Sequence, residues 1–181
     1  MIFTYYGVYI YASAYKDGMN KLAKRHILVG WLSAFIFIII GFIFANGLSL
    51  MVNLESWRRI WQNTKIGAAV SGTGNNFNDP TLIPRWLMMF GLAIMTTAAY
   101  VLFDANYFAE KVTDDYKLWV PKFSLKLYIV GIIVYAAFGS LYIFYSLDNE
   151  FRNLMLSDPI ALMTWFTGFS PILPFLYIET V

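Results

Sequence analysis

ILVGWLSAFIFIIIGFIFANGLSLMVNL, Ile27–Leu54, runs for 28 residues without one Asp, Glu, Lys or Arg. As a helix it is about 42 Å long, more than the roughly 30 Å of a bilayer's hydrocarbon core. A domain of 181 residues has no interior that could surround such a helix on every side. The stretch therefore predicts a lipid solvent, and the rest of the chain agrees. The chain is 59% hydrophobic, 19% aromatic and only 13% charged, against about a quarter charged residues in ordinary soluble domains.

Five apolar segments are expected, at 1–15, 27–54, 83–108, 124–147 and 159–178, with an interfacial helix and loop at 55–82. Backbone groups in hydrocarbon must be hydrogen-bonded within their own segment, so helices are favoured over strands. The expected fold is all-α: a polytopic integral membrane protein forming one domain, 1–181. It is a bundle of four full spans plus a short N-terminal apolar helix. That first segment reaches about 22 Å, short of a full crossing. A neighbouring subunit supplying the rest, a longer parent helix and a re-entrant segment are the three readings of this shortfall. No charge precedes its apolar run, the first being Lys16, so it does not read as a cleavable signal.

Lysine and arginine counts set the orientation. Loops 16–26 and 109–126, with their flanks, carry eight, including Lys24, Arg25, Lys117 and Lys122; the opposite side carries five, including Arg58, Arg59 and Arg85. The eight-residue side is expected to be cytoplasmic, with a bacterial inner membrane as the location. The net charge of +2 and the scatter of basic residues exclude a nucleic-acid surface. With no cysteine, disulfides, iron–sulfur clusters and thiolate zinc sites are excluded.

Few residues carry chemistry. His26, the one histidine, is a candidate ligand, but it sits beside Lys24 and Arg25 at the edge of a span, where a titrating surface residue is ordinary. Met88 is a candidate axial thioether, against the plainer role of methionine as packing. Asp104 and Asn46 are the polar residues nearest span interiors, with Asp104 expected at the interface. Leu54, Trp57, Ile60 and Trp61 fall on one face of an in-plane helix, with Arg58 and Arg59 elsewhere. Trp57 and Arg58 could meet a quinol head group, or anchor the chain among lipid head groups. The glycine-rich run Gly67–Asn76 reads as a linker, and its Gly72-Thr73-Gly74 lacks the Lys-Ser/Thr of a phosphate loop. Asp79-Pro80-Thr81 supplies capping residues for the next span, and Pro171 and Pro174 should break the last one.

Several stretches carry a resemblance. Thr4-Tyr5-Tyr6-Gly7-Val8-Tyr9-Ile10-Tyr11 and Lys24-Arg25-His26-Ile27-Leu28-Val29-Gly30-Trp31 resemble the third and fourth helices of subunit I in the cytochrome bd-type quinol oxidase family. Phe42-Ile43-Phe44-Ala45-Asn46-Gly47 is similar to the end of that fourth helix, and Phe77-Asn78-Asp79-Pro80-Thr81-Leu82-Ile83-Pro84-Arg85-Trp86-Leu87 to the start of the fifth. The likeness covers residues 1 to 108. It implies an electron-transfer complex, other membrane subunits (some cytochrome-containing) as partners beside the lipid bilayer, and haem b or quinone at subunit interfaces. The family's haem-ligating histidine falls on Met88, just after Arg85. The other haem-ligating histidine, the proton-path acids and the quinol-binding glutamine loop have no counterpart here. The resemblance thus implies a non-catalytic or cofactor-adjacent subunit that itself requires no cofactor. The alternatives are a haem b-binding quinol-oxidising subunit with ligands shared between chains, and a small transporter or channel component.

Overall fold

The computed structural model describes residues 1–16, 24–63, 65–66, 69–70, 74–109 and 113–180. The fold is all-α, and four of its helical stretches are long and apolar enough to cross a membrane: Lys24–Val52, Leu82–Tyr107, Asp114–Ser146 and Pro159–Ile178. The sequence reading treats the chain as one membrane domain. Contacts between backbones resolve it into two compact units, Met1–Asn76 and Phe77–Val181.

The first unit begins with α1 (Ile2–Lys16), α2 (Lys24–Val52) and α3 (Leu54–Asn63). α1 turns Thr4, Gly7 and Ala14 inward on one face. Their spacings of three and seven are those of a helical stripe. Gly7 lies against Ser33 of α2, and Gly30 of α2 lies so close to Tyr11 that an added methyl would meet its ring at 2.9 Å. Small residues let membrane helices approach where no hydrophobic driving force exists between them. Asn53 caps α3, its side-chain oxygen accepting from the Ser56 amide at 3.0 Å. Beyond α3, β1 (Lys65–Ile66) pairs antiparallel with β2 (Ala69–Val70), so part of the expected linker is a small hairpin. Gly67, Ala68 and Ser71–Thr73 lie outside the described residues.

The end of that connection is pinned to α2. Asn46 donates from Nδ2 to the Gly74 carbonyl at 3.0 Å and accepts from the Asn76 amide at 2.8 Å. Asn76 in turn donates to the Ser49 hydroxyl at 2.8 Å. All three side chains are buried. Asn46 thus engages the chain as a neighbouring strand would, which answers its polar character inside a span.

The second unit contains α4 (Leu82–Tyr107), α5 (Asp114–Leu141), a π-turn (Tyr142–Ser146), α6 (Asn149–Ser157), α7 (Pro159–Phe169) and α8 (Ile172–Thr180). Its spine is the α4–α5 pair. A methyl added at Gly91 would sit 2.6 Å from the Tyr135 nitrogen and 3.0 Å from the Gly131 oxygen. One added at Gly131 would sit 2.9 Å from the Met95 nitrogen and 3.0 Å from the Gly91 oxygen. The two backbones come into close contact there, with the Met95 side chain packed against Gly131. From this crossing Met95, Ala98, Leu102 and Ala105 continue down α4 at alternating steps of three and four. They form the buried core with Val120 and Tyr128 of α5 and Ile178 of α8.

Two helix boundaries differ from the sequence reading. α5 starts at Asp114, so most of the expected loop 109–126 is helix, continuous with the apolar segment 124–147. Thr113 caps it by accepting from the Tyr116 amide, and Asp114 and Asp115 sit in its first turn, where the helix dipole favours negative charge. Lys24–His26, expected in the loop 16–26, open α2. The segment between the fourth and fifth spans carries α6. The last span breaks at Ser170–Pro171, as its prolines require: neither ring nitrogen can donate to the preceding turn.

The glycine crossing gives the first prediction. Gly91→Ala should cost about 1–3 kcal/mol through overpacking. Gly139→Ala, whose new methyl meets only Met88 at 3.6 Å, should be neutral or slightly stabilising. Thermal melting of the two variants in detergent measures the difference.

Candidate functional site

The second unit carries an open-sided cavity of about 510 Å³ along α5, lined by the π-turn, α6, α7, α8 and Met88 of α4. Volumes of this size are typical of small-molecule sites. Local sequence explains its shape. Pro171 and Pro174 break the last span and swing α7 off the line of α8, while Gly139 and Gly168 leave opposite walls without side chains. Asp158 starts α7, accepting from the Ile160 and Ala161 amides at 2.8 and 3.2 Å, with Pro159 in the first turn. Trp165 fixes α7 against α6 by donating to the Met155 carbonyl at 3.1 Å.

A broken helix leaves backbone acceptors to be satisfied. Two tyrosines seven residues apart on α5 reach them: Tyr128 donates to the Pro171 carbonyl at 2.7 Å and Tyr135 to the Gly168 carbonyl at 3.3 Å. Tyr128 is buried and Tyr135 lines the cavity.

At the other end of the cavity α5 widens into the π-turn, closed by the Leu147 amide donating to the Tyr142 carbonyl at 3.0 Å. Such single wide turns are frequent at functional sites. Arg85, in the first turn of α4, donates to the Tyr142 hydroxyl at 3.2 Å, and its guanidinium carbon lies 5.2 Å from the centre of the same ring. That cation–π contact stabilises by about 0.5–1 kcal/mol. Arg152 donates to the Phe144 carbonyl at 2.9 Å and to the Asn149 side chain, closing the C-terminal end of the turn.

Of the four residues singled out from sequence, Arg85 and Met88 come together here. They are three residues apart on one helix face, with Met88 on the cavity wall. Trp57 and Arg58 belong to the first unit. Trp57 stacks with Trp61, ring centres 6.3 Å apart and planes 13° from parallel, while Arg58 is exposed. That aromatic face matches an in-plane anchor. His26 is half-buried near the start of α2, and Asp104 lies three residues from the end of α4.

Tyr135, Tyr142, Arg152 and Trp165 were not visible as site residues from composition. The seven-residue spacing of Tyr128 and Tyr135 opposite a double-proline span was the available signal.

A haem fits this cavity only in part. Met88 and Met155 offer thioethers, but residues 77–181 contain no histidine. No group of three or more His, Cys, Asp or Glu that could hold a metal occurs among the described residues.

Tyr128→Phe should release the Pro171 carbonyl and loosen α8. The expected result is a loss of about 0.6–1 kcal/mol and faster amide exchange over Phe175–Ile178, read by hydrogen–deuterium exchange. Compared with known proteins, the chain matches no family model, no curated protein and no solved structure.

Proposed function

We propose that this chain is a non-catalytic or cofactor-adjacent integral membrane subunit of a multi-subunit respiratory electron-transfer complex, similar to part of cytochrome bd subunit I. Its setting is a bacterial inner membrane, with residues 16–26 and 109–126 on the cytoplasmic side. The observation that carries this reading is the bareness of α2. Only 6% of its most apolar stretch is buried within the chain, and none of that of Pro159–Ile178. α1, about 22 Å long, can cover only half of the roughly 44 Å of α2. Lipid covers apolar surface, but a helix so little supported from within is suited to neighbouring helices from other subunits. The electron-transfer part rests on the resemblance and on Met88, which stands on the cavity wall where a partner's ring system could approach it.

The haem b reading has one specific observation in its favour, the half-buried thioether of Met88 on the cavity wall. It requires a second ligand from a partner chain.

Mild extraction from native membranes, native electrophoresis and mass spectrometry test the proposal. The chain is expected to migrate with cytochrome-containing membrane subunits; migration alone would contradict it. A pyridine haemochrome signal retained by the isolated chain and lost in Met88→Ala would replace it with the haem b reading.

A further inference from the structure

We propose that the cavity of the second unit binds the acyl tail of an anionic phospholipid, whose phosphate is held by Arg85 beside Tyr142.

The wall chemistry sets the ligand class. Most lining side chains are apolar, and most of the polar ones are engaged within the protein, Ser140 excepted. Tyr135 donates to Gly168, Thr164 to Ala161, Thr167 to Thr164 and Trp165 to Met155. Ligand atoms facing this part of the wall find few open donors, and a polar group there would lose hydrogen bonds it has in water. The deep part of the cavity therefore favours hydrocarbon. From Tyr142 to Ile132, both on the wall, α5 rises about 15 Å, long enough to take much of an acyl chain in extended form.

The π-turn end is different. Arg85 spends one of its five guanidinium N–H donors on Tyr142. Tyr142 accepts that bond and keeps its own hydroxyl proton to donate. Arg152 closes the same turn through the Phe144 carbonyl and Asn149. Among the described residues neither arginine is ion-paired with a carboxylate. Arg85 is half-buried in the first turn of α4, a helix long and apolar enough to cross a membrane, and the ends of such a helix fall near the head groups. An unneutralised guanidinium at that depth calls for an anion, and its planar fork matches the oxygens of a phosphate.

The same comparison shows which part of the lipid gives selectivity. A tail moving from bilayer to cavity exchanges one hydrocarbon surface for another and gains little. Preference for this site must come from the head, at Arg85. Removing the charge should therefore matter more than trimming the apolar wall.

The test uses the full chain in nanodiscs of phosphatidylcholine with a trace of phosphatidylglycerol carrying a photoreactive diazirine in its tail. Cross-linked peptides are then mapped by mass spectrometry. Labelling is expected at the wall residues of α6 and α7, such as Met155 and Trp165, and excess unlabelled phosphatidylglycerol should compete it away. Arg85→Gln should reduce it on the order of tenfold, Arg85→Lys should restore much of it, and Gly139→Phe should block it by filling the cavity. Melting curves of each variant separate loss of binding from loss of fold. Equal labelling by a phosphatidylcholine probe, or labelling unchanged in a folded Arg85→Gln, would overturn the proposal. Displacement by oleate or by a quinone but not by phosphatidylglycerol would also overturn it.

Discussion

The contact on which the second unit depends is the meeting of two backbones at Gly91 and Gly131. Each glycine faces a carbonyl of the other helix at a distance that leaves no room for a methyl. In lipid, helices gain nothing by hiding apolar surface from water, so close fit and hydrogen bonds must hold them together. Fixing α4 against α5 sets the rest in order. Tyr135 stands one turn beyond the crossing, near enough for its backbone to touch Gly91, with its hydroxyl aimed at α7. Further along α5, Tyr142 reaches Arg85 at the start of α4. The cavity occupies the space that these contacts leave between α5 and the broken last span.

A second pattern runs through both units: many polar side chains on the helices are spent on the backbone, although the buried Thr4 and Ser124 hydroxyls find no partner among the described residues. Asn46 holds the chain at Gly74 and Asn76, and Tyr128 and Tyr135 answer carbonyls beside the proline break. Arg152 answers the Phe144 carbonyl after the π-turn. Where water is absent, each such group left unmatched would cost more than the bond itself contributes. This use of polar side chains is structural work. It agrees with the non-catalytic role proposed above, and it leaves Met88 on the cavity wall and Arg85 beside Tyr142.

Much of the fold was legible in the sequence because hydrocarbon imposes length and purity on a span. The uncharged run at Ile27–Leu54 and the proline pair at 171 and 174 translate directly into α2 and the broken last helix. The amphipathic stretch at Leu54–Asn63 did so as well, since its aromatic residues recur at helical spacing. Boundaries set by local capping were harder. Thr113 and the two aspartates after it start α5 a good three turns before its charges end, and charge alone suggested a loop. The cavity was least legible, because it arises from long-range partners. Arg85 finds Tyr142 across 57 positions, and nothing in either neighbourhood announces the other. Met88 drew attention through the resemblance, and its place on the cavity wall is a fact of packing that composition does not encode.

The glycine crossing can be measured directly in a lipid bilayer. Solid-state NMR on the full chain in lipid, with carbon-13 at the Gly91 α-carbon and the Gly131 carbonyl alone, measures it. Bond lengths added to the observed approach place these two carbons within about 6 Å of each other. A dipolar coupling of that strength is the expected result. A separation beyond about 8 Å, the spacing of helices held apart by side chains, would contradict the account.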